Sequence, residues 1–151
     1  LRSLEIKREM IIIDEFDRGP RNVFNYGHSF GHALESAIQY KVPHGICVSY
    51  GMDLANLLSC QNGYMDISER NRLREVIGLI FSHPEIPKFD LDDFFNALRR
   101  DKKNEGLDVK VILSRGVGDM FKSTLSLEGE SMELIERYFV DELYLEPLLS
   151  V

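Results

Sequence analysis

The sequence predicts a mainly α fold, a multi-helix domain carrying one small β-hairpin. Three observations predict it. Most of the chain places apolar residues at helical spacing, i, i+3, i+4, i+7. One stretch, Val109-Lys110-Val111-Ile112-Leu113, reads instead as a strand and is followed by a glycine-bearing turn. The 151 residues are 44% apolar and 28% charged, enough for the core of one domain and incompatible with low-complexity disorder.

The elements follow in order. Residues 1–13 read as a helix, with Leu4, Met10, Ile11, Ile12 and Ile13 as its apolar part. The charged segment from Asp14 to Pro20 is a turn, stopped by Gly19-Pro20. A helical pattern then runs from Arg21 to Tyr40, Lys41-Val42-Pro43 breaks it, and a more apolar helix spans His44 to Cys60. Asp66 and Glu69 have the spacing of a capping box for the next helix. Its apolar positions are Leu73, Val76, Ile77, Ile80 and Phe81, and Pro84 and Pro87 end it. Asp90 caps a helix with Leu91, Phe94, Phe95 and Leu98 on one face. The strand 109–113 turns at residues 115–119 into a partner at 120–125, and a last helix covers 131–140.

Composition excludes several functions. Eighteen basic against 25 acidic residues give a formal charge of −7, which disfavours nucleic acid or a polybasic membrane surface as partner. No apolar run reaches the roughly 18–20 residues of a membrane span. Cys47 and Cys60 lack CxxC spacing and read as two reduced core thiols, consistent with a cytoplasmic setting. The chain opens at Leu1 inside a helical segment, and is expected to be part of a longer protein.

The informative stretch is Arg21–Tyr40. On one continuous helix at ~100° per residue, Arg21, Asn25, His28, His32 and Glu35 fall within about 80° of arc. Apolar or small residues fill the rest of the wheel. A surface helix has a broad polar face, and a stripe exposed to solvent is normally made of Lys and Glu. Burying this one without partners would cost several kcal/mol. The stripe is therefore expected to face a cavity, with Gly27 and Gly31 letting another backbone approach. His28 and His32, four apart, can reach one metal together, and His44 places three of the four histidines within 17 residues. Two histidines and a carboxylate are a common set for a catalytic divalent ion. Glu35 lies about two turns from His28, so a carboxylate from outside the chain is the better third ligand. Ser29 after the first histidine rules out the zinc-protease HExxH pattern.

A second cationic cluster, Arg99-Arg100-Asp101-Lys102-Lys103-Asn104, closes the helix that Asp90 begins. It reads either as positive charge complementing a helix C-terminus or as an anion site, most simply for phosphate.

Taken together, Arg21-x3-Asn25-Tyr26-Gly27-His28-Ser29-Phe30-Gly31-His32-Ala33-x-Glu35, His44-Gly45 and Gly51-Met52 resemble the 3-dehydroquinate synthase family and its sugar-phosphate cyclase relatives. Lys7-x6-Asp14-Glu15 and Asp101-Lys102-Lys103 extend the resemblance over most of the chain. It matches the C-terminal, helical half of a two-domain enzyme. The resemblance implies NAD held by an N-terminal domain that this chain lacks, and a divalent metal, zinc or cobalt, at the interdomain cleft. It implies His28 and His44 as metal ligands, with a glutamate from the other half as the third. It also implies His32 beside the substrate phosphate, Lys7 at polar groups near the metal, Arg21 and Asn25 on an anionic end of the substrate, and Lys102 or Lys103 on the phosphate. A homodimer is implied as well. Ile46 stands where the family usually has Glu, and Asp17 where Glu is more usual; neither is an implied ligand.

The function so implied is conversion of 3-deoxy-D-arabino-heptulosonate 7-phosphate to 3-dehydroquinate with loss of phosphate, a carbon–oxygen lyase of aromatic biosynthesis. A related cyclase, such as 2-deoxy-scyllo-inosose or 2-epi-5-epi-valiolone synthase, is the nearest alternative. A non-catalytic metal-binding helical module is the alternative of another class. With no GxGxxG turn in the sequence, the isolated chain is expected neither to bind NAD tightly nor to turn over.

Overall fold

In the computed structural model, which describes residues 2–80, 85–100 and 108–143, the central element is the helix α3 (His44–Gln61), labelled in the chain order given below. Twelve of its 18 residues are buried, the property of a helix that is packed on several sides. The order is α1 (Arg2–Ile13), a 3-10 segment (Pro20–Asn25), α2 (His28–Ala37), α3, α4 (Ile67–Ile80), α5 (Leu91–Arg99), the strands β1 (Asp108–Ser114) and β2 (Met120–Ser126), α6 (Gly129–Arg137) and a π-helical turn, Tyr138–Leu143. The mainly helical reading with one hairpin is correct, and β1 and β2 pair antiparallel with Val111 opposite Ser123.

One cluster forms the core. Phe30 and Leu34 of α2, Leu54 and Leu58 of α3, Phe94 and Leu98 of α5, and Val109, Val111 and Leu113 of β1 meet in it. Each fully buried Leu, Val or Phe there contributes about 1.5–3 kcal/mol. Cys47 is buried in this cluster, whereas Cys60 is only partly covered, and both are free thiols. Among the described residues no helix is long and apolar enough to cross a membrane.

The helix expected over 21–40 is broken. Residues 20–25 form the 3-10 segment, and Gly27 takes a left-handed φ of 75° before α2 starts at His28. The cause is the crossing of α2 over α3. A Cβ on Gly27 would sit 2.7 Å from the backbone of Met52 and Val48, and one on Gly51 would collide with the Gly27 carbonyl oxygen. The close approach that Gly27 and Gly31 were expected to permit is thus realised, with Gly51 as its third member. Arg21 and Asn25 consequently do not continue the histidine stripe of α2.

One further expectation changes. Glu69 does not fold back on Asp66; its carboxylate accepts the Val117 N–H at 3.1 Å and ties α4 to the hairpin turn. Of the apolar positions of α4, Val76 is 48% exposed and Leu73 and Ile77 are only half-buried. Among the described side chains of α4 the buried one is Arg70, bidentate to the fully buried Asp53 of α3 at 3.1 and 3.0 Å. Phe81 and Pro84 lie outside the described residues. Asp90 does cap α5, accepting the Asp92 N–H at 2.9 Å.

Candidate metal centre

The three histidines expected to act together converge. His28 and His32 come from successive turns of α2 and His44 from the first turn of α3, which the glycine crossing presses against α2. Their ring centroids form a near-equilateral triangle: 5.6 Å between His28 and His32, 5.5 Å between His28 and His44, and 5.2 Å between His32 and His44.

Hydrogen bonds decide which ring nitrogens are available. His28 Nδ1 lies 3.2 Å from the Tyr26 carbonyl oxygen, which can only accept, so Nδ1 carries the proton and Nε2 the lone pair. His44 Nδ1 lies 3.1 Å from Glu35 Oε2, with the same consequence. A histidine that donates through one nitrogen to a carbonyl or carboxylate is oriented for metal binding through the other. Glu35 was too far around the wheel to join His28, and the structure gives it a different partner, His44 of the next helix.

Among the described residues, the group whose ligand atoms all lie within 4.8 Å of one another is His32, Glu35 and His44, which contains the expected ligand His44 but has His32 and Glu35 in place of His28. Imidazole and carboxylate together suit zinc or cobalt.

Beside the histidines, Asn25 Nδ2 donates to Asp17 Oδ2 at 3.3 Å, and Asn22 Nδ2 donates to the Asp17 carbonyl at 2.7 Å. The Asp17 position therefore does touch an expected site residue. Ile46, the other departure from the family pattern, is buried in the core cluster and does not line the pocket formed by His28 and His44. Arg21 is used elsewhere: its Nη1 donates to the carbonyls of Asp14 and Glu15 at 3.4 and 2.8 Å, closing the loop before the 3-10 segment. Backbone N–H groups of Arg18, Gly19 and Arg21 on the Asp14 carboxylate reinforce that loop, and the Arg18 bond above all holds Asp14 below the ordinary carboxylate range. Lys7 is exposed on α1 and does not line the cavity beside His28 and His32. Lys102 and Lys103 lie outside the described residues.

The hairpin's contribution was not legible in the sequence. Lys110 and Lys122 line the cavity that also holds Asn25, His28 and His32. The available signal was the alternation Lys110-x-Ile112 and Lys122-x-Thr124, which becomes informative only once the strand register is known.

This geometry, a histidine cluster at a glycine-tight helix crossing, is a candidate metal centre in a helical domain. The family model for the 3-dehydroquinate synthase C-terminal region matches residues 1–104, and the chain belongs to that family. It is 34% identical over 141 residues to 3-dehydroquinate synthase of Helicobacter pylori (strain G27), covering 90% of this chain and 40% of that protein. It is 37% identical over 118 residues to 3-dehydroquinate synthase of Campylobacter curvus (strain 525.92), covering 78% and 34%. The chain thus spans 40% or less of the length of these relatives. A crystal structure of 2-deoxy-scyllo-inosose synthase shares the fold, with a TM-score of 0.63 and 26% identity over 82% of this chain and 34% of that one. A second structure of that enzyme, complexed with carbaglucose-6-phosphate, NAD+ and Co2+, superposes with a TM-score of 0.65 at 24% identity over 82% of this chain and 35% of that one.

Proposed function

We propose that this chain is the metal- and substrate-binding half of a 3-dehydroquinate synthase, which converts 3-deoxy-D-arabino-heptulosonate 7-phosphate to 3-dehydroquinate with loss of phosphate. The observation that carries the reading is the triangle of His28, His32 and His44, two of whose members are oriented through Nδ1. His28 and His44 hold the metal through Nε2, and a glutamate from a preceding half completes the set. A bound divalent ion supplies Lewis-acid polarisation of a substrate oxygen.

The chain's own residues do the rest. Glu35 fixes the His44 ring, and the Tyr26 carbonyl fixes that of His28. His32, on the cavity side of the triangle, exchanges a proton at a phosphate oxygen as the phosphate departs. Asn25, steadied by Asp17, donates its amide to the substrate. Arg21 and Lys7 approach the substrate's anionic and hydroxyl groups when the other half is in place, and Lys102 or Lys103 balances the leaving charge. NAD is held by that other half, so no residue here is assigned to it. A homodimer acting in the cytoplasm completes the reading.

A second reading, a cyclase for another sugar phosphate, is favoured by Asp17. One methylene shorter than the usual glutamate, it sets the position of Asn25 and thereby the shape of the substrate end of the cavity. The test is phosphate release by the protein expressed from its full reading frame, supplied with NAD and cobalt or zinc. The substrates are 3-deoxy-D-arabino-heptulosonate 7-phosphate, glucose 6-phosphate and sedoheptulose 7-phosphate. Release from the first alone is the expected result. Release from another substrate alone selects the second reading, and release from none contradicts both.

A further inference from the structure

His28 takes its orientation from a turn, and the turn is anchored in the core. Tyr26 at φ −56°, ψ 125° and Gly27 at φ 75°, ψ −13° form the central pair of a type II turn. The peptide between them carries the carbonyl that lies 3.2 Å from His28 Nδ1. With glycine at the second position, that peptide can rotate between type I and type II forms. The turn alone therefore does not fix where the carbonyl aims. The fixing comes from the Tyr26 side chain, whose ring packs against the core cluster. Its hydroxyl donates to Asn56 Oδ1 of α3 at 2.5 Å, 30 residues along the chain. The Met52 carbonyl lies 3.5 Å from the same hydroxyl, and the single phenol proton goes to the nearer acceptor.

Asn56 is fully buried, as are Leu54, Ala55 and Leu58 on the same helix. Its amide nitrogen has no hydrogen-bond partner among the described residues. A buried amide satisfied at one end costs stability that a leucine of similar size would not. Core stability therefore does not account for an asparagine at this position, and the bond to Tyr26 does.

We propose that Asn56 and the Tyr26 hydroxyl are positioning groups for His28. Anchored through its phenol, Tyr26 keeps its carbonyl aimed at Nδ1 and holds the ring in the tautomer that leaves Nε2 free for a ligand. Asn56 lines neither pocket beside His28 and acts through Tyr26. The inference rests on the reading of His28 as a ligand, but the tautomer of its ring is measured without metal.

The experiment uses metal-free protein expressed from its full reading frame, isotope-labelled at the histidine nitrogens. It is observed by NMR at about pH 8, where imidazole is neutral. The His28 signal is assigned by its loss in His28→Ala, and the parent is expected to show His28 protonated at Nδ1. Tyr26→Phe is expected to mix the two tautomers, and Asn56→Leu to mix them in part, since the Met52 carbonyl remains as an acceptor. The double variant is expected to mix them no further than Tyr26→Phe, because one residue acts through the other. It removes both polar groups and leaves neither buried unpaired, so it is expected to melt at or above the parent temperature. A merely structural pair would not lose tautomer order at undiminished stability. Ser59→Ala removes an equally buried hydroxyl of α3, which accepts the Ser114 N–H at 3.0 Å. It is expected to lower stability and leave the His28 tautomer unchanged. Cobalt affinity, by chelator competition, is expected to fall about tenfold in Tyr26→Phe and in the double variant. An unchanged His28 tautomer in both of these overturns the inference, and so does an equal loss of tautomer order in Ser59→Ala. If the tautomers mix as expected while the parent binds no cobalt, the anchoring stands and the metal reading fails. If the parent binds cobalt through His28 and neither tautomer nor affinity responds, the anchoring fails and the metal reading stands.

Discussion

Glu35 Oε2 and His44 Nδ1 stand 3.1 Å apart and join the last turns of α2 to the first turn of α3. The carboxylate is largely buried, with 16% of its side chain exposed against 49% for the imidazole. It can therefore hold the ring in one tautomer and one orientation, which makes its removal a specific test.

Glu35→Gln keeps the shape and removes the charge. Cobalt affinity, measured by competition against a chelator, is expected to fall about 10–100-fold, the usual cost of losing a partner that orients a metal-bound histidine. Thermal stability of the metal-free protein should change little, because the bond lies at the rim of the domain.

Gly51→Ala tests the helix crossing. Its new methyl would collide with the Gly27 carbonyl oxygen, and backbone cannot yield as a flexible side chain does. Urea unfolding is expected to show a loss of about 1–3 kcal/mol. Metal affinity should fall with it, since the same crossing brings His44 to His28.

Arg70→Met tests a feature remote from the histidines. Arg70 is bidentate to the buried Asp53 and also contacts Glu142 at 2.6 Å, a carboxylate it shares with Arg74 at 2.6 Å. Removing it leaves the buried Asp53 carboxylate with Arg74, at 3.5 Å, as its remaining cation among the described residues. The expected loss is about 3–5 kcal/mol in denaturant unfolding.

The thiols give a prediction in pH. Burial pushes Cys47 up from 9.0 to about 11, so below pH 9 it is protonated both folded and unfolded. The unfolded thiol ionises first as pH rises, and the fold loses stability between about 9 and 11 through this group. Cys47→Ser should flatten that part of the stability profile. At neutral pH an alkylating reagent should modify Cys60, which is partly exposed, before Cys47.

What the sequence made legible depended on how local each feature was. The histidine cluster could be read because His28, His32 and His44 lie within two adjacent helices, and the Gly27–Gly31 pair announced a close crossing. The break at Gly27 could not be read, because a helical wheel assumes an unbroken helix and the break is imposed by Met52 and Val48 from α3. For the same reason Arg21 was placed on a stripe, whereas its guanidinium closes the loop at Asp14 and Glu15. The partner of Glu35, the place of Lys110 and Lys122 beside the histidines, and the Arg70 network all depend on contacts between elements. Asp53 is 17 and Glu142 is 72 residues from Arg70, and no periodicity within α4 reports either. Val76 shows the converse: its helical spacing was correct, but spacing names a face without saying what covers it.

His28 and His44 are expected to bind a divalent metal together. The most direct measurement is a cobalt(II) titration followed by visible absorption, comparing the parent protein with His28→Ala and His44→Ala. A saturable d–d band is expected in the parent, and its loss, with greatly weakened binding, in each variant. An unchanged band and affinity in both variants would contradict it and place the ion elsewhere.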